Sequence, residues 1–177
     1  SVPIIGMEPA VKKAHDLSHD DALKTLVIAT PVTVNGAKLK ELITNLNAKD
    51  KTELLALPRL VNFAEKAEFE SENVKSYLKE ELGKFDLSKF DFLVLGCTHF
   101  NYFKDSLREI LPQNVSIIDG NEGTVKRLIS ELKLQISNIK LTPNVKFFYS
   151  GDEVREQNEL EKISRNLARL EKMRAIS

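Results

Sequence analysis

The feature that most constrains the fold is a regular alternation of short apolar runs with amphipathic segments of helical length. Runs typical of strands lie at residues 2–5, 26–28, 53–57, 92–95, 115–118 and 145–149. The run at 92–95 is apolar on both faces, as expected at the buried centre of a parallel sheet. This alternation predicts βαβ units, so we expect an α/β fold with a mostly parallel sheet flanked by helices.

The segments between these runs carry helix signals. Helices are predicted over residues 9–15, 34–45, 58–65, 71–82, 102–111, 121–134 and 153–174. Thr33 is placed to be the N-cap of the second helix, and Gly83 is placed to end the fourth. Residues 135–144 are predicted to be a polar connector.

Composition argues against several classes of partner. The 26 basic residues balance 26 acidic ones, which gives no electrostatic reason to expect a nucleic-acid partner. No apolar run approaches the ~18 residues that a membrane span needs, so no membrane partner is expected. Cys97 is the only cysteine, so no intrachain disulfide can form and a cytoplasmic location is expected.

The loop after residue 95 carries the strongest chemical pattern. Ligands of parallel α/β folds bind where strands end, and this loop reads Gly-Cys-Thr-His. A helix start after Cys97 would favour its thiolate and lower the pKa of the thiol. His99 can exchange a proton with the sulfur, and Thr98 adds a hydroxyl. The alternative is a buried structural cysteine beside a hydrogen-bonded histidine.

Other strand-end segments carry candidate polar groups. Thr30 and Thr33 flank a helix start, where hydroxyl and free N–H groups can hold a carboxylate. An ordinary N-cap is the alternative for Thr33, and the two roles can coexist. Glu65 ends an apolar helical stretch and, taken alone, is typical of a solvated helix-end carboxylate. Asp119 either contacts a ligand or makes a turn.

A metal site is not expected. His15 and His19 lie in a polar stretch with several aspartates, but their spacing matches no recognisable set of metal ligands. The aspartates are Asp16, Asp20 and Asp21.

Taken together, these segments resemble the glutamate racemase family. Residues 95–100, Leu-Gly-Cys-Thr-His-Phe after an apolar strand, are similar to the second cysteine motif of that family. In the same order and spacing, residues 2–12, 29–33, 58–65, 117–119 and 147–152 resemble further family segments. The resemblance covers nearly the whole chain.

The resemblance implies a cofactor-independent isomerase that interconverts L- and D-glutamate for peptidoglycan synthesis. Two pseudo-symmetric α/β domains would close over the substrate, and each would present a cysteine to one face of the α-carbon. Cys97 would be the acid/base of the second domain, His99 its proton-exchange partner and Glu65 an auxiliary carboxylate. The substrate-binding residues would be Thr98, Thr30 and Thr33.

One departure from the family is large, because the family's first half and its cysteine have no counterpart here. The chain begins with Ser1 and enters an apolar run at once, which suggests a piece of a longer protein or a removed tag. We expect a domain over residues 1–120 and a segment over residues 121–177 that packs on the missing N-terminal half.

These expectations have consequences for activity. With one thiol of two, the isolated chain should be inactive, and its exposed apolar surface should favour a homodimer. The alternatives to a glutamate racemase are a racemase of aspartate or another amino acid, and a non-catalytic binding module with the same fold.

Overall fold

A four-stranded parallel sheet organises the computed structural model, which describes residues 4–7, 9–18, 22–133 and 145–176. Its strands are Lys24–Ala29 (β1), Thr52–Ala56 (β2), Phe90–Leu95 (β3) and Ser116–Asp119 (β4). They lie in the order β2-β1-β3-β4, so the two most apolar strands are central. The predicted α/β fold with a parallel sheet flanked by helices is confirmed.

Eight α-helices lie in the described residues. They are Val11–Leu17 (α1), Pro31–Asn35 (α2), Ala37–Asn45 (α3), Pro58–Glu65 (α4), Glu72–Leu82 (α5), Lys104–Ile110 (α6), Asn121–Glu131 (α7) and Gln157–Met173 (α8). Short 3₁₀ helices occupy Leu87–Lys89 and Thr98–Phe103. A small antiparallel hairpin joins Phe148–Tyr149 (β5) to Asp152–Glu153 (β6).

Alternate residues of the central strands pack into two hydrophobic cores, one on each face of the sheet. On one face Leu26, Ile28 and Leu93 pack with residues of α4 and α5. On the other face Val27 and Val94 pack with residues of α1 and α3. Both faces of β1 and β3 are therefore buried, which explains why these strands read as continuous apolar runs.

Several predicted elements differ from the structure. The helix predicted over 34–45 is helical except at Gly36, which is extended (φ −68°, ψ 144°) and divides it between α2 and α3. Thr33 is not the N-cap of α2, since Pro31 starts that helix earlier and Thr30 caps it. The predicted helix over 102–111 is preceded by a 3₁₀ helix and begins its α-helical part at Lys104.

The chain ends also differ from prediction. Ile4 and Ile5 form no strand, and Ile4 is 96% exposed; Val2 and Pro3 lie outside the described residues. The strand predicted over 145–149 is confined to the first arm of the β5–β6 hairpin. The connector predicted over 135–144, together with Leu134, lies outside the described residues.

The two last helices are buried to different extents. Helix α8 packs on the Thr98–Phe103 3₁₀ helix and buries Met173, whereas α7 has no buried residue. Large apolar side chains are exposed on both helices and at the C-cap of α7, namely Val125, Leu128, Leu132 and Leu167. Across the described ranges, none of the helices has the length and apolarity to cross a membrane.

Candidate functional site

The Cys97 loop and the Thr30 loop leave the sheet side by side, because β1 and β3 are parallel neighbours. The backbone N–H of Gly96 donates to the carbonyl of Ile28 at 2.8 Å, so the segment after β3 stays paired with β1 past the end of β3. A Cβ atom on Gly96 would lie 2.9 Å from the Cβ of Ala29. Glycine is therefore required for this close approach of the two loops.

Cys97 is half-buried at the carboxyl end of β3. Its backbone is extended (φ −142°, ψ 135°), and its carbonyl accepts the N–H of Phe100 at 3.1 Å, which starts the 3₁₀ helix. The sulfur lies 3.9 Å from Nδ1 of His99. This distance allows a weak S–H···N contact and proton exchange between the two side chains.

The expected lowering of the Cys97 pKa is wrong for this structure. Burial raises the pKa of the thiol, and the backbone N–H groups of His99 and Phe100 offset only part of that rise. The segment after Cys97 is a 3₁₀ helix of six residues, and the two backbone N–H groups that it offers the sulfur do not compensate for the lost hydration. Cys97 is therefore a protonated thiol at neutral pH in this chain.

The hydroxyls of Thr30 and Thr33 lie against one another, 3.1 Å apart. Thr30 Oγ1 also accepts the backbone N–H of Thr33 at 3.4 Å, a long capping contact. Both side chains are only part-buried. The structure thus brings the two threonines together at the carboxyl end of β1, the strand next to the one that carries Cys97.

Thr98 and Glu65 are exposed on elements that pack on each other. Thr98 is the first residue of the 3₁₀ helix, and Glu65 is the last residue of α4, which packs on that helix. Among the described residues, the Glu65 carboxylate forms no hydrogen bond or ion pair, so the structure does not place it in contact with Cys97 or His99.

A buried ion pair lies at the same sheet edge and was not anticipated. Nζ of Lys104 donates to Oδ2 of Asp119 at 2.8 Å, with side-chain exposures of 8% and 19%. Oδ1 of Asp119 accepts the N–H of Asn121 at 2.9 Å. Burial alone would raise the pKa of Asp119, but these hydrogen bonds and the charges of Lys104 and Lys13 together lower it.

Asp119 pairs in register with Leu95, so this ion pair lies on the strand beside the Cys97 strand. A groove of about 820 Å³ opens next to it, between α7 and α8. The sequence around Lys104 shows only a single cation in an otherwise aromatic segment, and this does not predict a buried ion pair. The partner of Lys104 is decided only by the tertiary structure, which brings the first residue of α6 to the last residue of β4.

The described ranges contain no cluster of three or more His, Cys, Asp or Glu side chains that could hold a metal ion. Of the polar stretch considered above, His15 and Asp16 are described, whereas His19, Asp20 and Asp21 lie outside the described residues.

The arrangement supplies one thiol that can give or take a proton, a histidine beside it, and a neighbouring pair of hydroxyls. All of these groups belong to one edge of one sheet. They can act on a single face of a small carboxylate-bearing ligand, because ligands of parallel sheets bind at that edge.

Comparison with known proteins found no matching family model, but it found close relatives. The chain is 94% identical over 176 residues to the glutamate racemase of Campylobacter concisus, which covers 99% of this chain and 67% of that protein. It is 40% identical over 179 residues to the glutamate racemase of Lachnospira eligens, with coverages of 99% and 68%. The chain spans about two thirds of the length of these curated relatives.

Solved structures show the same fold. Escherichia coli glutamate racemase, in complex with L-glutamate and the activator UDP-MurNAc-Ala, superposes with a TM-score of 0.68 at 24% identity over 93% of this chain and 62% of that one. Glutamate racemase of Francisella tularensis, in complex with D-glutamate, superposes with a TM-score of 0.60 at 25% identity over 78% of this chain and 52% of that one.

Proposed function

The chain belongs to the glutamate racemase family, and we propose that it carries one of the two proton-transferring faces of an enzyme that interconverts L- and D-glutamate. The observation that carries the proposal is the position of Cys97. Its sulfur lies beside His99 at the carboxyl end of a central strand, next to the strand that leads into the Thr30–Thr33 pair. We also propose a cytoplasmic site of action, where D-glutamate would supply peptidoglycan synthesis.

The chemistry requires groups on both faces of the α-carbon. A thiolate on one face takes the α-proton, the electron pair of the C–H bond stays on the substrate, and a thiol on the other face returns a proton to the α-carbon. Cys97, protonated in the resting chain because burial raises its pKa, would donate the proton when the other half deprotonates the substrate, and in the reverse direction it would take the α-proton as a thiolate. His99 then exchanges protons with the sulfur.

Substrate binding is proposed for hydroxyl groups of the same edge. The paired hydroxyls of Thr30 and Thr33 would donate to one carboxylate of glutamate, and exposed Thr98 would donate from the loop of Cys97. Glu65 is proposed as an auxiliary carboxylate, reached when the substrate and the second half close the site. No cofactor is needed for this proton transfer.

The second face is proposed to come from a segment that the relatives have and this chain lacks. Residues 121–177 would contact that segment, and the exposed apolar side chains of α7 and α8 support this assignment. In the isolated chain, however, Arg169 anchors α8 on Tyr102 and Asp105 of the 1–120 part. The same apolar surface would drive homodimerisation when the missing half is absent.

The test is complementation. The isolated chain should not racemise glutamate, as followed by chiral chromatography. Adding the remaining segment of the Campylobacter concisus relative as a separate chain should restore racemisation, and Cys97→Ala should abolish it. Faster racemisation of aspartate than of glutamate would reject the substrate, and a complemented protein that binds glutamate without racemising it would reject the activity.

A further inference from the structure

Arg169 of α8 is a buried cation at the centre of a contact network outside the site described above. It is 9% exposed. Its Nε and Nη2 atoms donate to the carbonyl of Tyr102 at 3.0 and 2.8 Å, and Nη2 also donates to Asp105 Oδ1 at 2.7 Å. Nη1 donates to Glu70. Every guanidinium nitrogen therefore has an acceptor.

The network joins three parts of the chain. Tyr102 belongs to the 3₁₀ helix that starts next to Cys97, Asp105 to the first turn of α6, and Glu70 to the loop that follows α4. The ring of Phe69 completes the network, since the Arg169 guanidinium carbon lies 5.5 Å from its centroid. Phe69 in turn stacks on Tyr102 with centroids 4.8 Å apart.

We propose that Arg169 is a positioning residue that fixes the Thr98–Phe103 3₁₀ helix, and through it Cys97 and His99, to helix α8. The inference rests on the proposed function only in taking Cys97 as the reacting group. It adds that the geometry of the Cys97 loop depends on a side chain more than 70 positions later in the chain.

The physical argument starts from the 3₁₀ helix. Its hydrogen bonds have poorer geometry than those of an α-helix, so such a segment depends on contacts from outside for a fixed shape. Within it, Phe100 N–H bonds the Cys97 carbonyl and the Asn101 side chain bonds the Thr98 carbonyl. The carbonyl of Tyr102 is held from outside, by Arg169.

Removal of the guanidinium would leave the Tyr102 carbonyl without its side-chain donor, and the part-buried Asp105 carboxylate with only the N–H of Ser106. The Tyr102 end of the 3₁₀ helix would then shift toward water while the side chains of Phe100 and Phe103 stay in the core, and the shift would reach Cys97 because the whole helix is only six residues long. Cys97 would gain hydration. Burial is the largest cause of its raised pKa, so the pKa of the thiol should fall.

Few charged and titratable groups lie near enough to affect the pKa of the Cys97 thiol or the Arg169 network. His99 faces the sulfur at 3.9 Å. Asp105 and Glu70 face the guanidinium, and Lys172 lies 3.6 Å from Glu70. None of the last three contacts Cys97, so a change in the thiol's pH profile reports the geometry of its loop.

The experiment measures the rate at which iodoacetamide alkylates Cys97 between pH 6 and 10, on this chain. The variants are Arg169→Ala, Arg169→Lys and a matched control, Arg165→Ala, which removes an exposed arginine one turn earlier on α8. We expect Arg169→Ala to alkylate at least about threefold faster at pH 8, with an inflection at lower pH. Arg165→Ala should match the parent, and Arg169→Lys should lie between.

A folded Arg169→Ala variant with the parent's rate and inflection would overturn the proposal, since a helix anchor alone would change stability and leave the thiol profile unmoved. If Arg169→Ala does not fold, Glu70→Gln and Asp105→Asn remove the network's charges conservatively and should raise the rate. Unchanged profiles in both would equally overturn it. Racemisation by the complemented enzyme tests the proposed function separately, because alkylation needs no substrate.

Discussion

The Lys104–Asp119 pair provides the sharpest test of the energetics of this fold. We predict that Lys104→Met destabilises the chain by about 3 kcal/mol at pH 7, because it keeps most of the buried aliphatic volume and leaves the Asp119 carboxylate without its cation. The value lies at the lower end of the range for broken buried pairs, since the N–H of Asn121 still donates to Asp119.

The pH dependence of this stability loss identifies its cause. In the parent chain the pKa of Asp119 is lowered, so the stability from this group is present above its unfolded pKa of about 3.9 and is lost as pH falls through the folded value. In Lys104→Met burial is opposed only by the Asn121 N–H and the charge of Lys13, so the pKa of Asp119 rises. Protonation of Asp119 then removes the unpaired buried charge. The loss of unfolding free energy in Lys104→Met should therefore shrink to about 1 kcal/mol near pH 4.

Urea unfolding at pH 7 and pH 4 measures both values. The matched control is Lys126→Met, which removes an exposed cation that pairs with Glu122 at 2.6 Å and should leave stability unchanged within error. Asp119→Asn in the Lys104→Met background should recover part of the loss. A deficit for Lys104→Met that is the same at both pH values would refute the reasoning, because it would trace to packing and not to an unpaired carboxylate.

Further predictions concern the two loops of the site. Gly96→Ala should cost about 1–3 kcal/mol by urea unfolding, because its Cβ would lie 2.9 Å from Ala29, whereas Gly123→Ala in open space on α7 should be neutral or stabilising. Thr30→Ala should cost about 1 kcal/mol and Thr33→Ala less, since Thr30 is the cap; equal losses would contradict this assignment. The alkylation rate of Cys97 should inflect above the ordinary thiol value of about 8.5, and an inflection below it would show that burial does not dominate.

Periodicity and turn residues were enough to locate most of the fold. The apolar run at 92–95 lies within β3, and the helix predicted over 58–65 has the bounds of α4. Helix α5 ends before Gly83 as predicted, and it begins at Glu72, one residue after the predicted start, because Ser71 is its N-cap. These features are local, because a capping hydroxyl or an apolar stripe acts within a few residues of itself. The Gly-Cys-Thr-His pattern is also local, and it identified the Cys97 loop from four consecutive residues.

Properties that depend on packing were not accessible to the same reasoning. Nothing near Lys104 or Arg169 in the chain indicates that the first meets Asp119, 15 positions away, or that the second meets Tyr102, 67 positions away. The direction of the Cys97 pKa shift also depended on tertiary structure, since a strand end beside a helix predicts a lowered value and burial reversed it. Hydration and long-range charge pairing are set by which surfaces meet, and many pairings of 52 charged side chains are compatible with one pattern of strands and helices.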